Sequence, residues 1–306
     1  MLTGDQFERA RKLALELAGI QLLDRHRELL GRRTRRLGIR DCAALDSLLS
    51  AAEQGERAAI EHLLYLLTTK FTGFFRHPRH FDLAAAPALE VTQQRGRARL
   101  WSAGAATGEE PYSLAMALID VFRREDPPVR VLATDLDVET LKVAQRGEYA
   151  EAALRALEPG RRARFFTKSA ALGRWSIAPA VRRLVEFRAL NLAEVAWSIA
   201  GPFDVIFCRN VLMYLEARHR CAALERMASL LAPEGLLMLD PTEHLGPAGH
   251  LFTPGKEGVY SCPRPSNPRR GEDAAPYPTT GRADCPRSAA VAGVAAPFHS
   301  IAGDRG

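Results

Sequence analysis

From about residue 97 onward, short apolar runs alternate with helical segments, and this alternation constrains the fold more than any other feature of the chain. Arg99-Leu100-Trp101-Ser102-Ala103 reads as a strand ending in small residues, and a helix over 110–124 follows it and stops at Pro127-Pro128. Residues 129–134 form a second strand closed by Asp135, and Asp137 is suited to cap a helix running to Gln145. Residues 203–208 have the continuous apolar pattern of a buried strand, 216–231 that of a helix, and 235–240 that of another strand. Parallel strands need crossover helices, so the expected class is α/β, with a doubly wound, mostly parallel sheet. The alternation breaks between Gly147 and about Leu184, where Tyr149, Phe165, Phe166 and Trp175 lie among Arg and Gly, enough for a small inserted subdomain.

The segment before the sheet has a different period. Phe7, Ala10, Leu13, Ala14 and Leu17 recur at spacings of three and four, as do apolar residues through Leu67, with Gly19, Gly38 and Gly55 as punctuation. That pattern predicts a small helical bundle over residues 1 to about 82. At the other end, residues 263–306 carry seven of the 19 prolines and few large apolar groups, and read as a disordered tail.

Composition narrows the function classes. No run of 18 apolar residues exists, and the N-terminus has early acids and no apolar core, so neither a membrane span nor a secretory leader is expected. Five scattered cysteines without CxxC spacing exclude a disulfide scaffold and a zinc ribbon and fit a soluble protein of the reducing cytoplasm. The formal charge of +6 is concentrated: residues 25–40 hold seven Arg and one acid, Glu28. Such a run is either a solvated helix face or a surface for an acidic partner, whether nucleic acid, anionic lipid or protein.

The ends of the predicted strands suggest a ligand. Ser102-Ala103-Gly104-Ala105-Ala106-Thr107-Gly108-Glu109-Glu110-Pro111 lets a backbone approach a small molecule closely, but it is not GxGxxG, so a pyrophosphate cradle is unsupported. Asp135, at the next strand end, can accept hydrogen bonds from a ribose diol. A nucleoside without pyrophosphate satisfies both, and S-adenosylmethionine fits that description. A strand-end Asp alone is also a common structural feature.

In combination the motifs are far more specific. Thr68-Thr69-Lys70-Phe71-Thr72-Gly73-Phe74-Phe75-Arg76, then Thr107-Gly108-Glu109-Glu110-Pro111-Tyr112-Ser113, Ala133-Thr134-Asp135-Leu136-Asp137, Asn191-Leu192 and Cys208-Arg209-Asn210-Val211-Leu212-Met213-Tyr214 appear in that order. This resembles the chemotaxis-receptor protein-glutamate O-methyltransferases, the CheR family, over roughly residues 5–262. The resemblance implies an N-terminal helical domain (1–83), an S-adenosylmethionine-binding domain (84–262) and a β subdomain inserted at about 147–187. It implies that Lys70, Thr72, Arg76, Glu109, Asp135, Asn191, Leu192 and Asn210 line the cofactor site, with Asp135 on the ribose and Glu109 near the amino-acid or sulfonium end. Arg76 and Tyr214 would serve catalysis. The implied partners are cytoplasmic, glutamate-rich helices of methyl-accepting chemotaxis receptors, docked on Arg32, Arg33, Arg35 and Arg36. S-adenosylhomocysteine would be the product, and no metal, nucleic acid, membrane insertion or oligomer is expected.

Two departures from the family pattern stand out. Lys70 replaces the usual Asn, and its charge either approaches a sulfonium, which like-charge repulsion disfavours, or points to solvent on its long stem. A catalytically impaired, receptor-binding relative is therefore the rival reading. Residues 239–243 depart as well, and only Glu243 persists. The chemistry itself needs no base, because a glutamate carboxylate with a reference pKa of about 4.3 is already a nucleophile at neutral pH. Arg76 is suited to orient it, although Arg76 could equally be a surface residue and Tyr214 a core aromatic. His77 and His80 lack the acid or Cys that would complete a metal set, and Cys208 reads as a small hydrophobe. A nucleic-acid methyltransferase ranks last, because the basic run lacks interleaved aromatic platforms.

Overall fold

A computed structural model describes residues 2–39, 41–169 and 173–262, so the tail expected over 263–306 lies outside the described residues. Five helices come first: α1 (Gly4–Ala18), α2 (His26–Arg36), α3 (Cys42–Glu53), α4 (Arg57–Leu67) and α5 (Pro78–Arg95). Local chemistry sets their ends. Thr3 caps α1 in a reciprocal box with Gln6, Gly19 closes it in the left-handed conformation (φ 62°), and Asp41 caps α3 by accepting from Ala44 N. The period-3/4 apolar residues meet as predicted: Phe7, Ala10, Ala14, Leu45, Leu49, Leu63, Leu64 and Leu66 bury one core shared by α1, α3 and α4.

Helix α5 runs through residues 83 and 84 without a break. Its Phe81, Ala84, Ala85 and Ala88 bury against strand residues Leu100, Val131 and Phe207, so it forms part of the cover of the sheet.

The sheet follows: β1 (Ala98–Ala103), α6 (Glu109–Phe122), β2 (Val129–Asp135) and α7 (Val138–Arg146) lead to a small insert made of β3 (Glu148–Ala150), α8 (Pro159–Phe165), β4 (Phe166–Lys168), β5 (Arg174–Ile177) and α9 (Pro179–Arg182). The main sheet resumes with β6 (Val185–Ala189), β7 (Phe203–Phe207), α10 (Ala217–Leu230), β8 (Leu231–Met238), β9 (Thr253–Pro254) and β10 (Val259–Ser261). Strand order is β6-β2-β1-β7-β8-β10-β9, parallel from β6 to β8 and antiparallel at β10 and β9. The insert makes its own antiparallel sheet, β3-β5-β4. The main sheet is the doubly wound, mostly parallel arrangement that the alternation predicts.

Both faces of the sheet are dry. α5, α6 and the insert cover one face through Phe81, Tyr112, Leu114, Leu118 and Phe166, and α10 covers the other through Leu224 and Met227 against Trp101, Phe203 and Ile206. A fully buried Leu such as Leu118 contributes about 2 kcal/mol by leaving water. The chain winds outward from β1 through β2 to β6, then returns to β7 on the other side of β1. The reversal at β1 opens a crevice beyond the carboxyl ends of β1, β2 and β7, where such sheets bind ligands.

Candidate active site

Beyond the end of β1 the chain turns sharply through Gly104 (φ 87°), Ala106 (φ 47°) and Gly108 (φ 98°) into α6. Gly104 is required on two counts: its φ is one that side chains avoid, and a Cβ there would overlap the Val211 side chain. The Gly104 and Ala105 N–H groups both donate to the Thr134 carbonyl, at 2.7 and 2.9 Å, locking this turn to β2. Asp135, ending β2, accepts from Ala106 N at 2.8 Å on one oxygen and from Asp137 N at 2.9 Å on the other. Burial pushes its carboxyl up, and those N–H groups oppose the rise. The carboxylate is thus oriented by backbone, with lone pairs left for a ligand.

The cleft, about 160 Å³, lies between this turn, the segment 67–76, the 209–215 loop and α2. Of the seven non-glycine residues with positive φ among the described residues, four lie on its walls or beside them: Phe75 (51°), His77 (57°), Ala106 (47°) and Asn210 (59°). Each costs roughly 1–3 kcal/mol and persists only where surroundings impose it.

Those surroundings are specific. Phe75 N donates to Ser113 Oγ at 2.9 Å. Glu243 gathers the 209–213 loop, accepting from Asn210 N (2.7 Å), Val211 N (3.1 Å) and Met213 N (3.3 Å), as well as from Asp240 N (3.2 Å). The buried Arg209 guanidinium donates from Nε to Glu110 Oε2 (2.9 Å) and from Nη2 to the Arg76 carbonyl (2.7 Å). Sequence reasoning gave no role to Arg209 or to Glu243. Each braces backbone from within the fold, which leaves no periodic or spacing signal beyond their presence in the motifs.

Thr72, Arg76, Asp135, Asn191, Leu192, Asn210 and Tyr214 all line the cleft. Asn191 commits its carbonyl to Ala193 N and an amide hydrogen to Leu17 O, so it also ties α1 to the cleft. Glu109 is placed elsewhere: it is buried, accepts from Thr107 Oγ1 at 2.6 Å, and burial pushes its carboxyl up. Its neighbour Glu110 lines the cleft instead, accepting from Ser102 Oγ at 2.9 Å on the oxygen not used by Arg209. Adjacent residues on a helix point about 100° apart, so only one of the pair can face the strand ends.

Lys70 lies outside the cleft lining, and neither direction expected for its charge is the one adopted. Its ammonium turns back to Asp137 Oδ2 (3.0 Å) and Thr68 Oγ1 (2.9 Å) and lies over the Tyr65 ring. Of the four arginines assigned to docking, Arg32, Arg35 and Arg36 are exposed, whereas Arg33 is half-buried in the cleft wall. Arg33 donates to the Leu66 and Leu67 carbonyls (3.1 and 2.9 Å) and to Thr69 Oγ1 (2.9 Å), bracing the end of α4, and its charge faces Tyr214.

The helical layer is strapped to the loop bearing Tyr214. Ile20 and Leu215 form an antiparallel bridge, Gln21 N donates to Tyr214 O at 2.8 Å, and Glu216 N donates to Gly19 O at 2.8 Å.

The cleft therefore presents the Asp135 carboxylate at a strand end, Glu110 already paired with Arg209, an apolar wall of Ile20, Leu22, Leu67 and Leu190, and the cations Arg76 and Arg33. A ligand with a ribose diol and an apolar body matches Asp135 and that wall, as S-adenosylmethionine does. Cys208 is fully buried, which pushes its thiol well up, so it offers no nucleophile. Among the described residues no group of three or more His, Cys, Asp or Glu is arranged to hold a metal.

The family model described as CheR methyltransferase, SAM binding domain, matches residues 70–257. Chemotaxis protein methyltransferase 2 of Pseudomonas aeruginosa is 38% identical over 85% of this chain and 93% of its own length. The chemotaxis protein methyltransferases of Escherichia coli and Salmonella typhimurium are 36% and 35% identical, each over 85% of this chain and 91% of its own length.

Proposed function

The chain belongs to the CheR family of S-adenosylmethionine-dependent methyltransferases, and on that premise we propose that it methylates glutamate side chains of chemotaxis receptors in the cytoplasm, giving glutamate methyl esters. The observation that carries this reading is the division of charge within the cleft. Asp135 stands at a strand end, where a methyl donor's ribose hydroxyls would lie, and the same cleft holds Arg76, an arginine without a carboxylate partner among the described residues.

The bound cofactor supplies a methyl carbon made electrophilic by its sulfonium, and S-adenosylhomocysteine is left. Asp135 would accept the ribose hydroxyls, with its orientation already set by Ala106 N and Asp137 N. The acceptor glutamate arrives ionised, so the protein's task is alignment. The Arg76 guanidinium would hold that carboxylate by charge-assisted hydrogen bonds, with the Tyr214 hydroxyl beside it. The exposed Arg32, Arg35 and Arg36 of α2 would meet the acidic face of a receptor helix. No helix among the described residues is long and apolar enough to cross a membrane, and the enzyme would reach the receptor as a monomer.

Lys70 favours an active enzyme over an impaired relative, because Asp137 neutralises its charge away from the cleft. The test is transfer of labelled methyl from S-adenosylmethionine to a receptor cytoplasmic fragment, scored as base-labile ester. Transfer is expected, with a loss of roughly tenfold or more in cofactor affinity in Asp135→Ala, the weight of one or two hydrogen bonds to a charged group. Absence of ester in both the native chain and Lys70→Asn would refute the reading, whereas recovery in Lys70→Asn would establish the impaired relative.

A further inference from the structure

We propose that Arg209 is a positioning residue for the acceptor half of the site: it fixes the backbone from which Arg76 reaches the acceptor carboxylate. The proposal rests on the reading of Arg76 given above. Arg76 sits between two residues in left-handed backbone, Phe75 (φ 51°) and His77 (φ 57°). A double kink of that kind does not hold itself, and Arg209 secures it from the interior.

The Arg209 side chain is 2% exposed. Each part of its guanidinium meets a different segment: Nη2 donates to the Arg76 carbonyl at 2.7 Å, Nε to Glu110 Oε2 at 2.9 Å, and Nη1 faces His80 Nδ1 at 3.3 Å. His80 Nε2 lies 2.7 Å from the Glu257 carbonyl, so the proton belongs on Nε2 and the Nδ1 lone pair is left for Arg209. Phe81 and Phe207 carry the guanidinium against their rings, with centroids at 5.4 and 5.6 Å.

Arg76's own guanidinium is held far less. It makes a 3.4 Å contact to the Phe71 carbonyl and lies over the Phe71 ring at 5.2 Å. The backbone of Arg76 is thus clamped while its charged end stays available, which is the division of labour a substrate-orienting side chain needs. Lysine at 209 could still neutralise Glu110, but a single ammonium cannot span three partners in a planar fork.

Arg209→Lys is therefore expected to lower acceptor kcat/KM about tenfold while cofactor affinity, measured by calorimetry, changes less than threefold. The decisive measurement is a double-mutant cycle with Arg76→Lys. If Arg209 acts through Arg76, the second substitution adds little to the first; additive losses, or an Arg209→Lys enzyme with native acceptor kinetics, would overturn the proposal. If Arg209→Lys does not fold, His80→Asn, which frees one edge of the guanidinium and keeps its pair with Glu110, enters the same cycle with the same two outcomes. An Arg76→Lys enzyme with native acceptor kinetics would instead remove the reading of Arg76 itself.

Discussion

Asp240 holds its charge under conditions where an ordinary aspartate would be protonated. Burial pushes its carboxyl up, but the Thr242 hydroxyl and N–H, the Asn210 side chain and the nearby His77 outweigh burial and bring it down to about 2. A carboxyl depressed by folding contributes stability above its unfolded pKa of about 3.9 and loses it as pH falls towards 2; here that contribution is about 2 to 3 kcal/mol. Asp240→Asn should therefore cost about 2 to 3 kcal/mol in urea unfolding at pH 7, and the cost should shrink below about pH 4. A penalty that stays constant to pH 3 would contradict this account. Individual residues were the least legible part of the sequence. Asp135 could be placed because strand ends have a known address. Lys70 could not, because its partner Asp137 lies 67 positions away in sequence. Glu109 and Glu110 are one residue apart, and only the helix phase separates them.

Helix α2 illustrates how a charge run divides once it acquires faces. Arg32, Arg35 and Arg36 are exposed, while Arg33 turns inward onto carbonyl oxygens at the end of α4. Reversal of the three exposed arginines to Glu should lower kcat/KM for the receptor fragment by one to two orders of magnitude at low salt, with most of the difference gone at about 0.5 M salt, since exposed charges steer encounter and are screened. An undiminished defect in high salt would show that these residues serve the fold rather than docking. Elements with a strong period were readable to within a residue or two: α6 spans Glu109–Phe122 against the expected 110–124, and Asp137 caps α7 as predicted. Strand β6 was missed, since Glu186 and Arg188 alternate with half-buried Val185 and Phe187 on this edge strand and dilute its apolar signal. Strands β9 and β10 are two and three residues long, too short for any period to show.

At the scale of the whole molecule, the helical layer forms a wall of the cleft: Ala18, Ile20, Leu22, Leu29, Leu30 and Arg33 lie in it together with Asp135 and Asn210. A fragment beginning at residue 70, where the family match begins, lacks that wall and the strap to Tyr214. It should show no thermal shift with S-adenosylhomocysteine under conditions where the full chain shows one; binding of equal affinity by the fragment would contradict the shared wall.

The strap also bears on where the chain can change in length. Gly19 lies so close to Ala193 and His219 that a Cβ there would stand 2.7 and 2.8 Å from them, whereas Gly55, in the turn between α3 and α4, has nothing within 4 Å. An inserted residue near position 20 would shift every pairing between the two layers at once, while one near position 55 would extend into water. A residue inserted near position 55 should therefore leave the melting temperature and cofactor binding almost unchanged, whereas one between α1 and α2 should lower both.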